Sequence, residues 1–208
     1  MMNSQYANPN RTIDGLKTIR IRSGATSSSV TMSLLDSGAD TCLAGAEFHI
    51  EEESDEVVHV IGFQDHMKSK DMKIGTAITA TTTTSGKTIL LRASNVILGM
   101  TGDSLISTGQ VENYNHVVDL RPRTKGGRQR TFLSDGYTLP LIHTGPHMYL
   151  QCRLPTETEL ADETLPTVEL TSPIGWDPAE VENKNEVSEG DDLATEAHLD
   201  IMKTEKLS

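Results

Sequence analysis

The run Met72–Thr84 carries isoleucine or threonine at most of its positions, and Ser85-Gly86 and the stretch Lys87–Leu91 follow it directly. β-Branched side chains suit a pleated backbone, and Ser-Gly supplies a tight turn, so the two stretches are expected to pair as a hairpin. A hairpin of this length must be paired and covered, which commits the chain to a mainly β architecture. Shorter stretches carry the same signature: Lys17–Ile21, Val30–Leu35, Val57–Phe63 and Asn95–Leu98, the last ended by Gly99. Beyond them, His116–Leu120, Arg130–Leu133, Tyr137–Ile142 and Met148–Cys152 alternate with Gly- and Pro-containing turns. One helix is expected over Asp103–Asn113, capped by Thr101 or Asp103, with Leu105, Ile106 and Val111 as its apolar stripe. The acidic run Glu51–Glu56 reads as a solvated loop.

Charge divides the chain. Of its 30 acidic residues, 15 lie in 157–208 against 3 of its 18 basic ones, so the net charge of −12 belongs to that segment alone. An acidic stretch poor in aromatics is expected to stay solvated and largely disordered. The expected organisation is a flexible leader over 1–16, an all-β core with one helix over 17–113, a small β appendage over 114–156, and the acidic tail. An acidic chain is a poor match for nucleic-acid binding through phosphates. Cys42 and Cys152 have neither the number nor the spacing of a disulfide framework or zinc site, and read as reduced thiols of a cytoplasmic or nuclear chain. No apolar run approaches the roughly 20 residues of a membrane span. Residues Met1–Asp14 are polar, without the apolar segment of a secretory signal, so the chain is not expected to be secreted.

The chemistry concentrates in Met32-Ser33-Leu34-Leu35-Asp36-Ser37-Gly38-Ala39-Asp40-Thr41. Peptide hydrolysis by carboxylates needs a base to activate water and an acid to protonate the leaving nitrogen. Two carboxylates about 3 Å apart do both, because like charges at that distance cannot both ionise and one proton is shared. The apolar strand anchors Asp36 rigidly, Ser37 offers a hydroxyl for a supporting hydrogen bond, Gly38 permits a tight turn and close backbone approach, and small Ala39 keeps the site open. The competing reading is an ordinary Asp-Ser-Gly turn. Only one such triplet occurs and no internal repeat supplies another, so a second carboxylate has to come from a second copy, with the site on a two-fold axis.

This stretch resembles the active-site signature of the retropepsins, Asp-Ser/Thr-Gly-Ala after apolar residues. The resemblance implies that Asp36 is the catalytic aspartate, with Ser37 and Gly38 completing the triplet, and that Ala39 and Asp40 contact substrate. It also implies a closed or partly open β-barrel, a homodimer, a polypeptide substrate, and no metal or other cofactor. In family order, Val57–Ile74 would supply a hairpin flap, with Gly62 and Phe63 toward its tip, though Gln64–Asp71 is charged and lacks a glycine cluster. Ile97-Leu98-Gly99 resembles the apolar-apolar-Gly triplet, and Asp103–Asn113 the helix after it. Asp103-Ser104-Leu105-Ile106-Ser107-Thr108-Gly109-Gln110 is similar to the Asn-Ser-Leu-Leu-Ser-x-x-Gln pattern following the protease in Copia-type retrotransposon polyproteins. Arg153-Leu154-Pro155-Thr156, Glu159-Leu160, Leu170-Thr171-Ser172 and Trp176-Asp177-Pro178 resemble the spacer of algal Copia-like elements.

The expected function is therefore an aspartic endopeptidase acting on a retrotransposon polyprotein. The rival is a catalytically inactive retroelement fragment serving at most as an interaction module, since the RNA-binding knuckle, integrase and polymerase motifs of such polyproteins are absent. The basic stretch Arg121–Arg130 offers an RNA contact as a weaker third reading, because no aromatics interleave it for stacking bases. His143 and His147 flank Thr-Gly-Pro, which rules out a shared helix face for a metal. Ser37 lacks the Gly-x-Ser-x-Gly elbow of a serine nucleophile.

Overall fold

The computed structural model describes residues 31–60, 70–99, 102 and 104–181. The protein is mainly β, and its described strands form two sheets. The six-stranded sheet runs in the order β5 (Leu105–Ser107), β1 (Thr31–Asp36), β9 (His147–Cys152), β8 (Thr138–Thr144), β7 (Arg130–Phe132), β6 (Val117–Asp119). The four-stranded sheet runs β10 (Thr167–Glu169), β4 (Thr88–Ile97), β3 (Lys70–Thr82), β2 (His49–Val60). The anticipated hairpin is β3–β4, antiparallel from Thr82↔Thr88 to Ile74↔Ile97, with Gly86 at φ 83° in its turn.

The core lies between the two sheets. Ile89, Leu91, Leu139, Val96, Leu150 and Leu170 are among its most buried members. A seam of main-chain and threonine bonds joins the sheets. Ala80 and Arg153 exchange N–H···O bonds of 2.9 and 3.0 Å, Thr79 Oγ1 donates to Arg153 O at 3.0 Å, and Thr81 Oγ1 donates to Gln151 O at 2.7 Å. The threonines expected to contribute only β propensity therefore also join the two sheets.

Several expectations need correction. Glu51–Glu56 is not a loop but part of β2, whose edge position leaves its acidic side chains exposed or half-exposed while its backbone pairs with β3. Charged side chains on an edge strand discourage pairing with another chain. The helix is shorter than expected: α1 spans Thr108–Asn113, and Leu105–Ser107 is strand β5, drawn into extended backbone by parallel pairing with β1. Its cap is Ser107, whose side chain accepts from Gln110 N at 3.2 Å, while Thr101 and Asp103 lie outside the described residues.

The strands of 114–156 do not form a separate appendage. β9 pairs antiparallel with β1 from Thr31↔Cys152 to Leu35↔Met148, and Leu139, Leu141 and Leu150 enter the same core as Leu35. Nor is the whole of 157–208 without structure, and α1 is not the single helix. A second helix α2 (Glu157–Ala161) opens with a capping box between Thr156 and Glu159, and β10 pairs parallel with β4. Buried His116 accepts from Ser134 N at Nδ1 (3.0 Å), which leaves Nε2 to donate to Glu169 O of β10 at 2.8 Å. Burial of this neutral ring lowers its pKa. Val168 and Leu170 show why the charge count misleads: alternating apolar residues inside an acidic stretch are enough to fix it. The leader 1–16 and the strand Lys17–Ile21 lie outside the described residues.

Arg153 grips Glu159 through two bonds of 2.7 and 2.5 Å, and with the Thr156 bonds this holds the Glu159 carboxyl down at about 2. A carboxyl whose pKa falls on folding stabilises above its unfolded value and loses that contribution as pH drops through the folded one. Glu159→Gln is therefore expected to cost about 1 kcal/mol at neutral pH through the lost half-exposed ion pair with Arg153, since glutamine can keep the capping contact. The difference from wild type should vanish between pH 4.5 and about 2 in urea titrations.

Candidate active site

Asp36 ends β1, and β1 is an interior strand, bonded to β5 on one side and β9 on the other. Its carboxylate is half-buried, and Oδ1 accepts from Gly38 N at 2.8 Å, which fixes the side chain against its own loop. Asp36 and exposed Ser37 line a cleft of about 400 Å³ with Leu120, Gln129, His143 and His147. The β1–β9 register explains the histidines: Leu35 faces Met148, so the next step sets Asp36 beside His147 and the β8–β9 turn.

The loop after Asp36 is braced from below by Ser104, Ser107 and Gln110. Ser107 is the parallel partner of Asp36, and its hydroxyl donates to Ala39 O at 2.6 Å while capping α1. Gln110, 1% exposed, accepts from Cys42 N at 2.8 Å and donates to Asn95 O at 3.1 Å, tying the loop to β4. Ser104 Oγ accepts from Gly45 N at 2.8 Å and donates to buried Glu47 at 2.6 Å. A buried amide or hydroxyl without such partners costs about 1–3 kcal/mol, so the loop has little freedom to shift while these bonds hold. From above, the half-buried Trp176 donates its indole N–H to Asp40 O and Thr41 Oγ1, both at 3.1 Å.

The anticipated roles divide accordingly. Asp36 and Ser37 share the cleft, whereas Gly38, Ala39 and Asp40 continue the loop without lining it. Ser37 Oγ makes no hydrogen bond among the described residues, so none of them supplies the expected supporting bond. Gly38 has no positive φ, and a Cβ there would meet only Asp36 Oδ1, at 3.4 Å. Its need for glycine therefore does not come from this chain's own packing. Gly62 and Phe63 lie outside the described residues, although the hairpin strands leading to them pair from Val57↔Lys73 to Val60↔Lys70. Cys42 and Cys152 are buried free thiols, both pushed up to about 12 by burial, so neither is a ready nucleophile. Among the described residues no cluster of His, Cys, Asp and Glu could hold a metal ion, and no helix is long and apolar enough to cross a membrane.

The chain matches no family model, no curated protein and no solved structure. Its own geometry is what speaks for the site.

The braces Ser104, Ser107 and Gln110 were visible in the sequence as polar residues at intervals of three, yet nothing there assigned them a partner. Trp176 is the chain's single tryptophan, so its fluorescence reports on the Asp36 loop. Ser107→Ala is expected to destabilise the fold by about 1–2 kcal/mol and to shift the Trp176 emission to the red with the far-UV spectrum unchanged. An unshifted emission would show that the loop does not depend on this brace.

Proposed function

We propose that this chain is an aspartic endopeptidase of retropepsin type and retrotransposon origin, whose dyad forms when Asp36 of two copies meets across a homodimer. The observation that carries the reading is a strand-end carboxylate, oriented by Gly38 N–H, open to a cleft, on a loop braced by a part-buried bond from Ser107 and a buried one to Gln110. A carboxylate that only closes a surface turn has no need of that bracing.

In the proposed dyad the ionised Asp36 takes a proton from water as the water oxygen bonds to the scissile carbonyl carbon, and the other Asp36 protonates the carbonyl oxygen. The gem-diol then collapses. One hydroxyl proton returns to the second carboxylate, the C–N bond breaks, and the nitrogen leaves with the proton held by the first. One water is consumed, and the pair again shares one proton. No cofactor takes part. The Ser37 hydroxyl, without a hydrogen bond among the described residues, and the sterically unconstrained Gly38 favour the rival, an inactive fragment that keeps the fold as an interaction module.

Cleavage of a mixed peptide library under mildly acidic conditions, at high protein concentration, separates the two. Wild type is expected to cleave, and Asp36→Asn to fall by roughly 10⁴-fold or more, as when an essential catalytic group is removed. Equal cleavage by both proteins, or by neither while both are folded, would remove the endopeptidase reading.

A further inference from the structure

The basic stretch Arg121–Arg130 is a built loop. Asp119, 6% exposed, closes it by accepting from Arg121 N at 3.0 Å and Arg128 N at 2.7 Å on its two carboxylate oxygens. Arg123–Lys125 forms a single 3-10 turn, ended by Gly126 at φ 80°. Gly127 passes so close to Arg121 that an added methyl would sit 1.9 Å from its carbonyl oxygen. The Arg128 guanidinium lies over the Phe132 ring at 5.9 Å. Among the described residues, Arg121, Arg123, Lys125 and Arg130 have no acidic side chain in ion-pair contact. Set against the single carboxylate of Asp119, which is turned to backbone N–H groups, these four cations give the loop a local positive field among the described residues, in a chain whose net charge is −12.

The same loop has two sides. Leu120, Pro122 and Gln129 line the cleft that holds Asp36, while Arg123, Gly127, Arg128 and Arg130 line a second hollow of about 480 Å³. Both hollows draw their lining from this one loop, Pro122 and Gln129 on one and the neighbouring Arg123, Arg128 and Arg130 on the other. We infer that this loop selects polypeptides carrying a cluster of acidic side chains to one side of the segment presented to Asp36. The inference deepens the endopeptidase reading and rests on it for the meaning of the Asp36 cleft. Nucleic acid fits the loop less well. No phenylalanine, tyrosine or tryptophan lines either hollow for base stacking, and the histidines of the Asp36 cleft, His143 and His147, lie outside the basic hollow. A phosphate backbone also carries charge at every unit and would bring it against Asp36, whereas a peptide can confine its carboxylates to the basic side.

The test is binding of a fluorescently labelled peptide with a glutamate block, its glutamine counterpart, and a single-stranded RNA oligomer, measured by anisotropy at low salt on the full chain. Asp36→Asn serves alongside wild type so that cleavage does not interfere. The glutamate peptide is expected to bind both proteins, and the glutamine peptide at least roughly tenfold more weakly. Replacing Arg121, Arg123, Lys125 and Arg130 by glutamine should abolish the difference. Changing the three arginines to lysine should keep it, which controls for misfolding. Equal binding of the two peptides, no loss in the glutamine variant, or tighter binding of the RNA would overturn the inference. Acidic-peptide binding without any cleavage by wild type would remove the endopeptidase and leave the groove. Cleavage indifferent to peptide charge would remove the groove and leave the endopeptidase.

Discussion

The hydroxyl of Ser107 sits where the site and the fold meet. It lies on the strand paired in parallel with β1, begins α1, and holds the Ala39 carbonyl three residues past Asp36. Its position is set by β5 and its donor direction by the loop, so a shift in either strand would move the other. Gln110 repeats the device one helical turn on, bonding Cys42 N on one side and Asn95 O on the other. The Cys42–Gln110 bond is buried and the other two are part-buried, and each would leave an unsatisfied amide or carbonyl if broken. The geometry of Asp36 thus depends on an array of polar groups away from the cleft itself.

That array requires β1 to be an interior strand, and β1 is interior because the chain returns to it late. β9 supplies the second edge of β1, and the seam from Thr79, Ala80 and Thr81 to Gln151 and Arg153 locks β9 against the other sheet. The acidic C-terminal stretch contributes in the same way. β10 covers β4, His116 bonds its backbone, and Trp176 closes over Asp40. Residues remote in sequence from Asp36 therefore complete its support from both sides.

Much of this was legible in the sequence where local chemistry dominates. The β3–β4 hairpin follows from its threonines, isoleucines and Ser-Gly turn, and β1, β7, β8 and β9 fall close to their apolar runs. The strand-end position of Asp36 was legible for the same reason. What failed was judgement by charge and by separation. Glu51–Glu56 is polar enough for a loop, yet an edge strand buries only its backbone on one side. Leu105–Ser107 has helical spacing, but pairing with β1 outweighs it. Strands after residue 114 looked like an appendage because local sequence does not state that β9 adds to β1. The braces Ser104, Ser107 and Gln110 were in view, but their loop partners lie 59 to 68 residues earlier along the chain, and no periodicity encodes that.

The central claim is that two copies of Asp36 build one site. The most direct measurement is the stoichiometry of a statine-type transition-state mimic titrated calorimetrically into the full chain at a concentration that favours association. A dyad on a two-fold axis holds one such molecule between two chains, so saturation is predicted at one inhibitor per two chains, with binding lost in Asp36→Asn. Saturation at one inhibitor per chain, or binding undiminished by the substitution, would contradict the shared site.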